Sequence, residues 1–138
     1  MIDDLPSILL VEDNPDDERL ILRALRRSNI TNPVVVAHNG EEALQCLQGL
    51  SPLPIVVLLD LKLPKVDGFE VLRQLRNQDA TRALPIVVLT SSSEDRDIVT
   101  SYHLGANSYV RKPVSMDEFT MAIEHLGVYW TRMNQVGA

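Results

Sequence analysis

The sequence predicts an α/β fold, a doubly wound parallel sheet built from five βα units. Three observations carry this expectation. Short apolar runs alternate with stretches of helical periodicity along the whole chain. The runs are rich in Val, Ile and Leu and lack polar alternation, as strands buried on both faces do. Helix-start signals stand between the runs, and such alternation argues for helices covering both sides of a sheet.

The first run is SILLV (7–11). Asn14 then stands before Pro15, a cap followed by proline at the first helical position, and Leu20, Ala24 and Leu25 recur at helical spacing. The second run is PVVVA (33–37). Asn39 and Glu42 follow at the spacing of a capping box, with Ala43, Leu44 and Leu47 as the apolar face. The third run, IVVLL (55–59), leads through VVLLDLKLPKVDG to Asp67 and Glu70, again three apart, and to Phe69, Leu72 and Leu75. Gly68 just after that cap serves backbone geometry. The fourth run is PIVVL (85–89), after which Ser93, Glu94 and Asp95 start a helix carrying Ile98 and Tyr102. The fifth is SYVR (108–111). Ser115 and Glu118 open the last helix, whose stripe is Phe119, Ile123, Leu126 and Trp130. That helix is expected from 116 to about 133, roughly 27 Å at 1.5 Å per residue.

A chain of 138 residues, 45% apolar and 23% charged, suits one domain with one core. No repeat, linker or low-complexity stretch interrupts it. No apolar run approaches the roughly 20 residues that cross a bilayer. The start, MIDDLPSILLVEDN, is acidic where a signal peptide is basic, so a cytoplasmic, unprocessed protein is expected. Cys46 is the single cysteine and forms no internal disulfide, in keeping with a reducing compartment. A net charge of -6 argues against binding to nucleic acid or to an anionic membrane. The one dense basic pair, Arg26 and Arg27, reads as a solvated helix end.

In such sheets ligands bind beyond the carboxyl ends of the strands. The first strand ends in Glu12 and Asp13, the third in Asp60, and the fourth in Thr90, followed by Ser91 and Ser92. Lys112 and Pro113 follow the fifth. His38 and Asn39 end the second and are expected off to one side. Three carboxylates at one sheet edge repel each other unless something neutralises them. One lysine and one divalent cation balance their charge. Magnesium suits best, because Mg2+ prefers oxygen, keeps waters and binds one or two carboxylates together with a phosphate. The Thr90 hydroxyl and the Lys112 ammonium are donors for further phosphoryl oxygens. The assembly is suited to forming an aspartyl phosphate on Asp60.

Glu12-Asp13, Asp60, Thr90, Tyr109 and Lys112-Pro113, with the motifs LLVEDN, LLDLKLPKVDG and VVLTSS, resemble the receiver domain of two-component response regulators, in order and spacing and over essentially the whole chain. The resemblance implies a receiver-type (βα)5 sheet of the flavodoxin-like kind, in strand order 2-1-3-4-5. It implies phosphoryl transfer from a sensor histidine kinase to Asp60. Asp13, Asp60 and the Lys62 backbone carbonyl would hold magnesium, with Glu12 acting mostly through water. Thr90 and Tyr109 would form the switch pair, Lys112 would bind phosphate, and the Lys112–Pro113 peptide would be cis. Self-catalysed phosphoryl transfer and autodephosphorylation would be the only chemistry; the protein is not otherwise expected to be an enzyme. Glu12 replaces an aspartate that many members carry.

SYHLGANSYVRKP and the tail HLGVYWTRMNQVGA further resemble the single-domain regulators that partner bacterial phytochrome kinases, so one receiver domain over 1–138 with an extended last helix and no output domain is expected. Another hybrid kinase or relay remains open as the partner. So do two outputs: onward transfer to a histidine phosphotransfer protein, or a changed binding surface.

Other functions of this topology fit less well. A flavodoxin needs a Ser/Thr/Gly-rich phosphate loop after the first strand, where EDNPDD repels phosphate. A dinucleotide binder needs GxGxxG, which is absent. A haloacid-dehalogenase-type phosphatase carries its nucleophile after the first strand. Taken singly, Asp60 or Thr90 could be a helix cap, Lys112 a surface lysine and Tyr109 plain core. His38, His103 and His125 lack metal-ligand spacing, and Cys46 reads as a packed thiol.

The last helix carries a second stripe of Met121, His125, Val128 and Tyr129. With Trp130 at the far end, it is expected to stand in water in a monomer and to mark a homodimer interface.

Overall fold

The computed structural model describes residues 5–50, 52–91, 94–112 and 116–133. Strands β1 (Ile8–Val11), β2 (Val34–Ala37), β3 (Val56–Leu59), β4 (Ile86–Thr90) and β5 (Ser108–Arg111) alternate with helices α1 (Pro15–Arg27), α2 (Gly40–Gly49), α3 (Gly68–Arg76), α4 (Asp95–His103) and α5 (Met116–Val128). All paired strands are parallel and the order is β2-β1-β3-β4-β5, as expected for this flavodoxin-like arrangement. Each strand spans four or five residues of its apolar run, with β4 reaching one residue further, to Thr90.

Strand alternation sorts the core onto two faces. Ile8, Leu10, Val56, Leu58, Val87 and Leu89 pack with Ile21, Ala24 and Leu25 of α1 and Ile123 of α5. Leu9, Val11, Val57, Leu59 and Ile86 pack on the other side with Ala43 and Leu47 of α2 and Val71, Leu72 and Leu75 of α3. β1 and β3 are therefore apolar at every position, which explains their unalternated sequence.

The helix starts follow their caps. Asn14 Oδ1 accepts from the N–H groups of Asp16 and Asp17, Asn39 Oδ1 from Glu42 and Asp67 Oδ1 from Glu70. α4 differs from expectation. Its cap position is Glu94, whose carboxylate meets Arg96 Nε at 2.7 Å and caps no backbone group. Ser93, like Ser92, Pro113, Ser115 and the side chain of Phe119, lies outside the described residues, as does the Lys112–Pro113 peptide. β5 is an edge strand, and the outward N–H of Tyr109 donates to the Tyr102 hydroxyl of α4 at 3.1 Å.

The end of α5 corrects one expectation. The helix passes into a π-helical turn over Tyr129–Met133, in which Thr131 Oγ1 donates to the Gly127 carbonyl at 2.6 Å. Trp130 does not stand in water. It is 7% exposed and belongs to the core cluster with Ile123, Leu25 and Ile30, while Tyr129 is 46% exposed. The two rings meet edge to face with centroids 5.1 Å apart. Trp130 follows Ile123 and Gly127 at helical spacing, so it shares their inward stripe. Gly127 lets α5 lie against α1: a Cβ there would sit 2.8 Å from Leu25 Cδ2 and 3.2 Å from Ile30 Cγ1. Apolar cover thus reaches the far end of the helix. Trp130→Ala should cost about 3–5 kcal/mol by leaving a large cavity, whereas Tyr129→Ala should cost under about 1 kcal/mol; urea denaturation of both variants checks the contrast.

Candidate functional site

The carboxyl edge of the sheet gathers side chains from three loops. Glu12 follows β1 and its N–H donates to the Ala37 carbonyl at 3.0 Å. Asp60 follows β3 and its N–H donates to the Val11 carbonyl at 3.1 Å. Lys112 follows β5, with its N–H on the Thr90 carbonyl at 2.7 Å. Each functional residue is the first beyond a strand, so the ladder that fixes the strand also fixes the backbone from which the side chain departs. Gly68 completes this frame. A Cβ there would come within 2.3 Å of the Asp60 carbonyl oxygen and 2.6 Å of Leu61 Cα, so only glycine lets α3 start directly against the Asp60 loop.

The Lys112 ammonium is the centre of the cluster. Its Nζ lies 2.7 Å from Glu12 Oε1, 2.8 Å from Asp17 Oδ2 and 3.3 Å from Asp60 Oδ2. An ammonium has three N–H donors, so three carboxylates satisfy it. Burial alone would lower its pKa, but the hydrogen bonds to Asp17 and Glu12 and the charges of Asp60 and Glu12 outweigh that and hold it above the ordinary lysine range. Lys112 is therefore a permanent cation. The second oxygen of Glu12 accepts the Asn14 N–H at 3.2 Å, and Asp60 Oδ1 accepts the Lys62 N–H at 3.3 Å.

Glu12, Asp13 and Asp60 each offer an oxygen, and these atoms lie within 4.8 Å of one another. Glu12 and Asp60 are buried and Asp13 faces solvent. These three carboxylates outnumber the lysine that reaches two of them, and hard oxygen donors in such excess suit a divalent cation of the Mg2+ or Mn2+ kind. The other expected site residues stand on the neighbouring strands. Thr90 is buried at the end of β4, at the same edge as Asp60, because the register pairs Leu59 with Val88. Tyr109 is half-buried on β5 opposite Val88. Lys62 is exposed. His38 stands beyond the edge strand β2 and pairs with Glu18 at 2.9 Å, away from the cluster.

Asp17 is the residue that sequence reasoning missed. In the sequence it is one acid of EDNPDD, a loop that repels phosphate. The available signal was its position four after Asp13, in the first turn of a helix opened by Asn14 and Pro15.

Burial pushes the Glu12 carboxyl up from 4.5 to about 7, with Asp60 adding to the rise, against the opposing Lys112 contact and the Asn14 N–H. The metal-free folded chain thus keeps a proton that the unfolded chain releases. Stability from this group is present at low pH and is lost as pH rises from 4.5 to about 7. Glu12→Gln should remove that dependence, so the variant's relative stability should increase across the window by up to about 3 kcal/mol. Urea denaturation with chelator at stepped pH measures it.

Comparison with known proteins agrees with this geometry. Residues 8–124 match the response regulator receiver domain. The probable methanogenesis regulatory protein FilR2 of Methanothrix harundinacea is 42% identical over 132 residues, spanning 93% of this chain and 85% of that protein. Response regulator Rcp1 of Synechocystis is 35% identical over 128 residues, spanning 89% of this chain and 87% of that protein. The Mn(2+)-bound crystal structure of Rcp1 superposes with a TM-score of 0.90 at 33% identity, covering 96% of this chain and 99% of that one. The phosphorylated cyanobacterial phytochrome response regulator RcpA superposes with a TM-score of 0.91 at 33% identity, covering 97% and 99%. The chain belongs to the response regulator receiver domain family, and within it is homologous to the phytochrome response regulators.

Proposed function

We propose that this protein accepts a phosphoryl group on Asp60 from the phosphohistidine of a phytochrome-class sensor histidine kinase, in a reaction that requires Mg2+. The observation that carries this proposal is the buried Asp60 carboxylate, fixed at the end of β3, 3.3 Å from a permanent ammonium and within the acidic trio. An Asp60 oxygen forms the new bond to phosphorus. The bond from phosphorus to the histidine nitrogen breaks, and its electron pair stays on that nitrogen. Lys112 meets the transferred oxygens. Asp13, Asp60 and the Lys62 carbonyl would hold Mg2+, with Glu12 acting through water, and the ion would neutralise charge on the phosphoryl group. The protein would act in the cytoplasm and carry out no other chemistry than this transfer and loss of its own phosphate.

The output is a population shift. Thr90 would turn toward the phosphoryl group and Tyr109 would fill the space, altering the face of α4, β5 and α5. On that face Met121, His125 and Tyr129 are exposed in one stripe, with Val128 partly buried beside them. They support a homodimer through α5, with the buried Trp130 behind it as a support. The 42% identity to FilR2 favours a second possibility, a receiver serving a kinase or relay other than a phytochrome, including one with a histidine phosphotransfer protein. Phosphotransfer profiling against the histidine kinases of the source organism separates the two.

Two outcomes are expected. Asp60→Asn should abolish Mg2+-dependent labelling by phosphorylated kinase while circular dichroism stays unchanged; a labelled variant would sink the assignment. Met121→Glu with Tyr129→Ala should shift sedimentation from dimer to folded monomer, and an intact chain that is monomeric at high micromolar concentration would exclude the dimer.

A further inference from the structure

We infer that Asp17 is a positioning residue for phosphoryl transfer, holding the Lys112 ammonium in place while Asp60 is converted to its phosphate. The inference rests on the function proposed above.

Lys112 divides its three donors among Glu12, Asp17 and Asp60. Two of these contacts are contested when the reaction runs. Asp60 turns one oxygen into the bridging atom of an acyl phosphate, as its bond to phosphorus forms and the donor's bond to phosphorus breaks with the electron pair leaving on the donor atom. Glu12 belongs to the acidic trio and shares its charge with any cation bound there. The Asp17 contact stands outside both changes, because Asp17 is not among the clustered metal-type ligands. It is the tether that persists.

The structure is built to keep it. Pro15 opens α1 with its φ already helical. Asn14 Oδ1 accepts from the Asp17 N–H at 3.0 Å, fixing the backbone that carries the carboxylate. The adjacent Asp16 provides the contrast. Its side chain is 83% exposed and pairs with Arg19, whereas the Asp17 side chain is 32% exposed and reaches across to a lysine 95 residues later in the chain. Both acids sit in the first turn, where either favours the helix dipole. Only Asp17 touches the site. A lysine stem is long and freely rotating, so a fixed anion beside its head removes motion that the phosphoryl group would otherwise have to arrest.

The test compares wild type, Asp17→Ala, Asp17→Asn and Asp16→Asn with phosphoramidate and Mg2+, following phosphoprotein by mass spectrometry. The maximal phosphorylation rate of Asp17→Ala should fall about tenfold. Asp17→Asn keeps an acceptor oxygen and should lie between, and Asp16→Asn should match wild type. In spectra of protein labelled with 15N at lysine, the protected Lys112 ammonium signal should disappear in Asp17→Ala and persist in Asp16→Asn. A wild-type rate with the signal retained in Asp17→Ala overturns the inference, as does equal slowing of the Asp17→Asn and Asp16→Asn variants, which would mark a helix effect. If Asp17→Ala does not fold, Asp17→Asn against Asp16→Asn decides on the same two readouts. Wild type that takes no phosphoryl group, or takes it elsewhere than Asp60, overturns the proposed function itself and the role of Asp17 with it.

Discussion

One ammonium holds the working edge of this protein together. Lys112 Nζ reaches carboxylates at 2.7, 2.8 and 3.3 Å that come from the turn after β1, from α1 and from the turn after β3. Like charges so arranged would drive these loops apart, and the lysine reverses the sign of that interaction. Its low exposure makes the attraction stronger than at a surface, and also makes it costly to lose one partner, since a buried charge would be left without its counterpart. The cluster is therefore both the chemistry and the clasp of the site.

The clasp works because the frame beneath it does not yield. β1 and β3 are buried at every position, and their pairing carries straight into the backbone hydrogen bonds of Glu12 and Asp60. Gly68 and Gly40 allow two helices to start against neighbouring backbone, where a Cβ would lie 2.3 Å from the Asp60 carbonyl oxygen and 1.8 Å from that of Val66. Positions of the reacting groups are thus set by main-chain geometry, and only the last few bonds of each side chain remain adjustable.

Much of this was legible in the sequence, for reasons that residues make plain. Runs such as VVLL have one stable use in a parallel sheet, and Asn14-Pro15 or Asp67 with Glu70 mark helix starts through local hydrogen bonds alone. Glu12, Asp13, Asp60, Thr90 and Lys112 were visible because each follows or ends a strand, so topology alone brings them to one edge. What stayed hidden depends on distance in space. Asp17 looks like any first-turn acid until β5 brings Lys112 beside it. Trp130 looks like an exposed aromatic until Gly127 is seen to draw α5 onto Leu25 and Ile30. The start of α4 was legible only to within a residue, because the Glu94 side chain at its cap position holds no backbone N–H to mark the boundary.

The phenol of Tyr102 has a further effect on how this protein can associate. An edge strand ordinarily offers its outward N–H groups to any extended chain that drifts alongside, and sheets grow across molecules by that route. On β5 the N–H of Tyr109 is already taken by the Tyr102 oxygen. At that point the sheet is closed by a side chain acting as a substitute neighbour. A partner meeting this flank finds that N–H already engaged, so recognition at that point falls to protruding side chains, which can be matched and mismatched residue by residue, where main-chain pairing would accept almost any sequence.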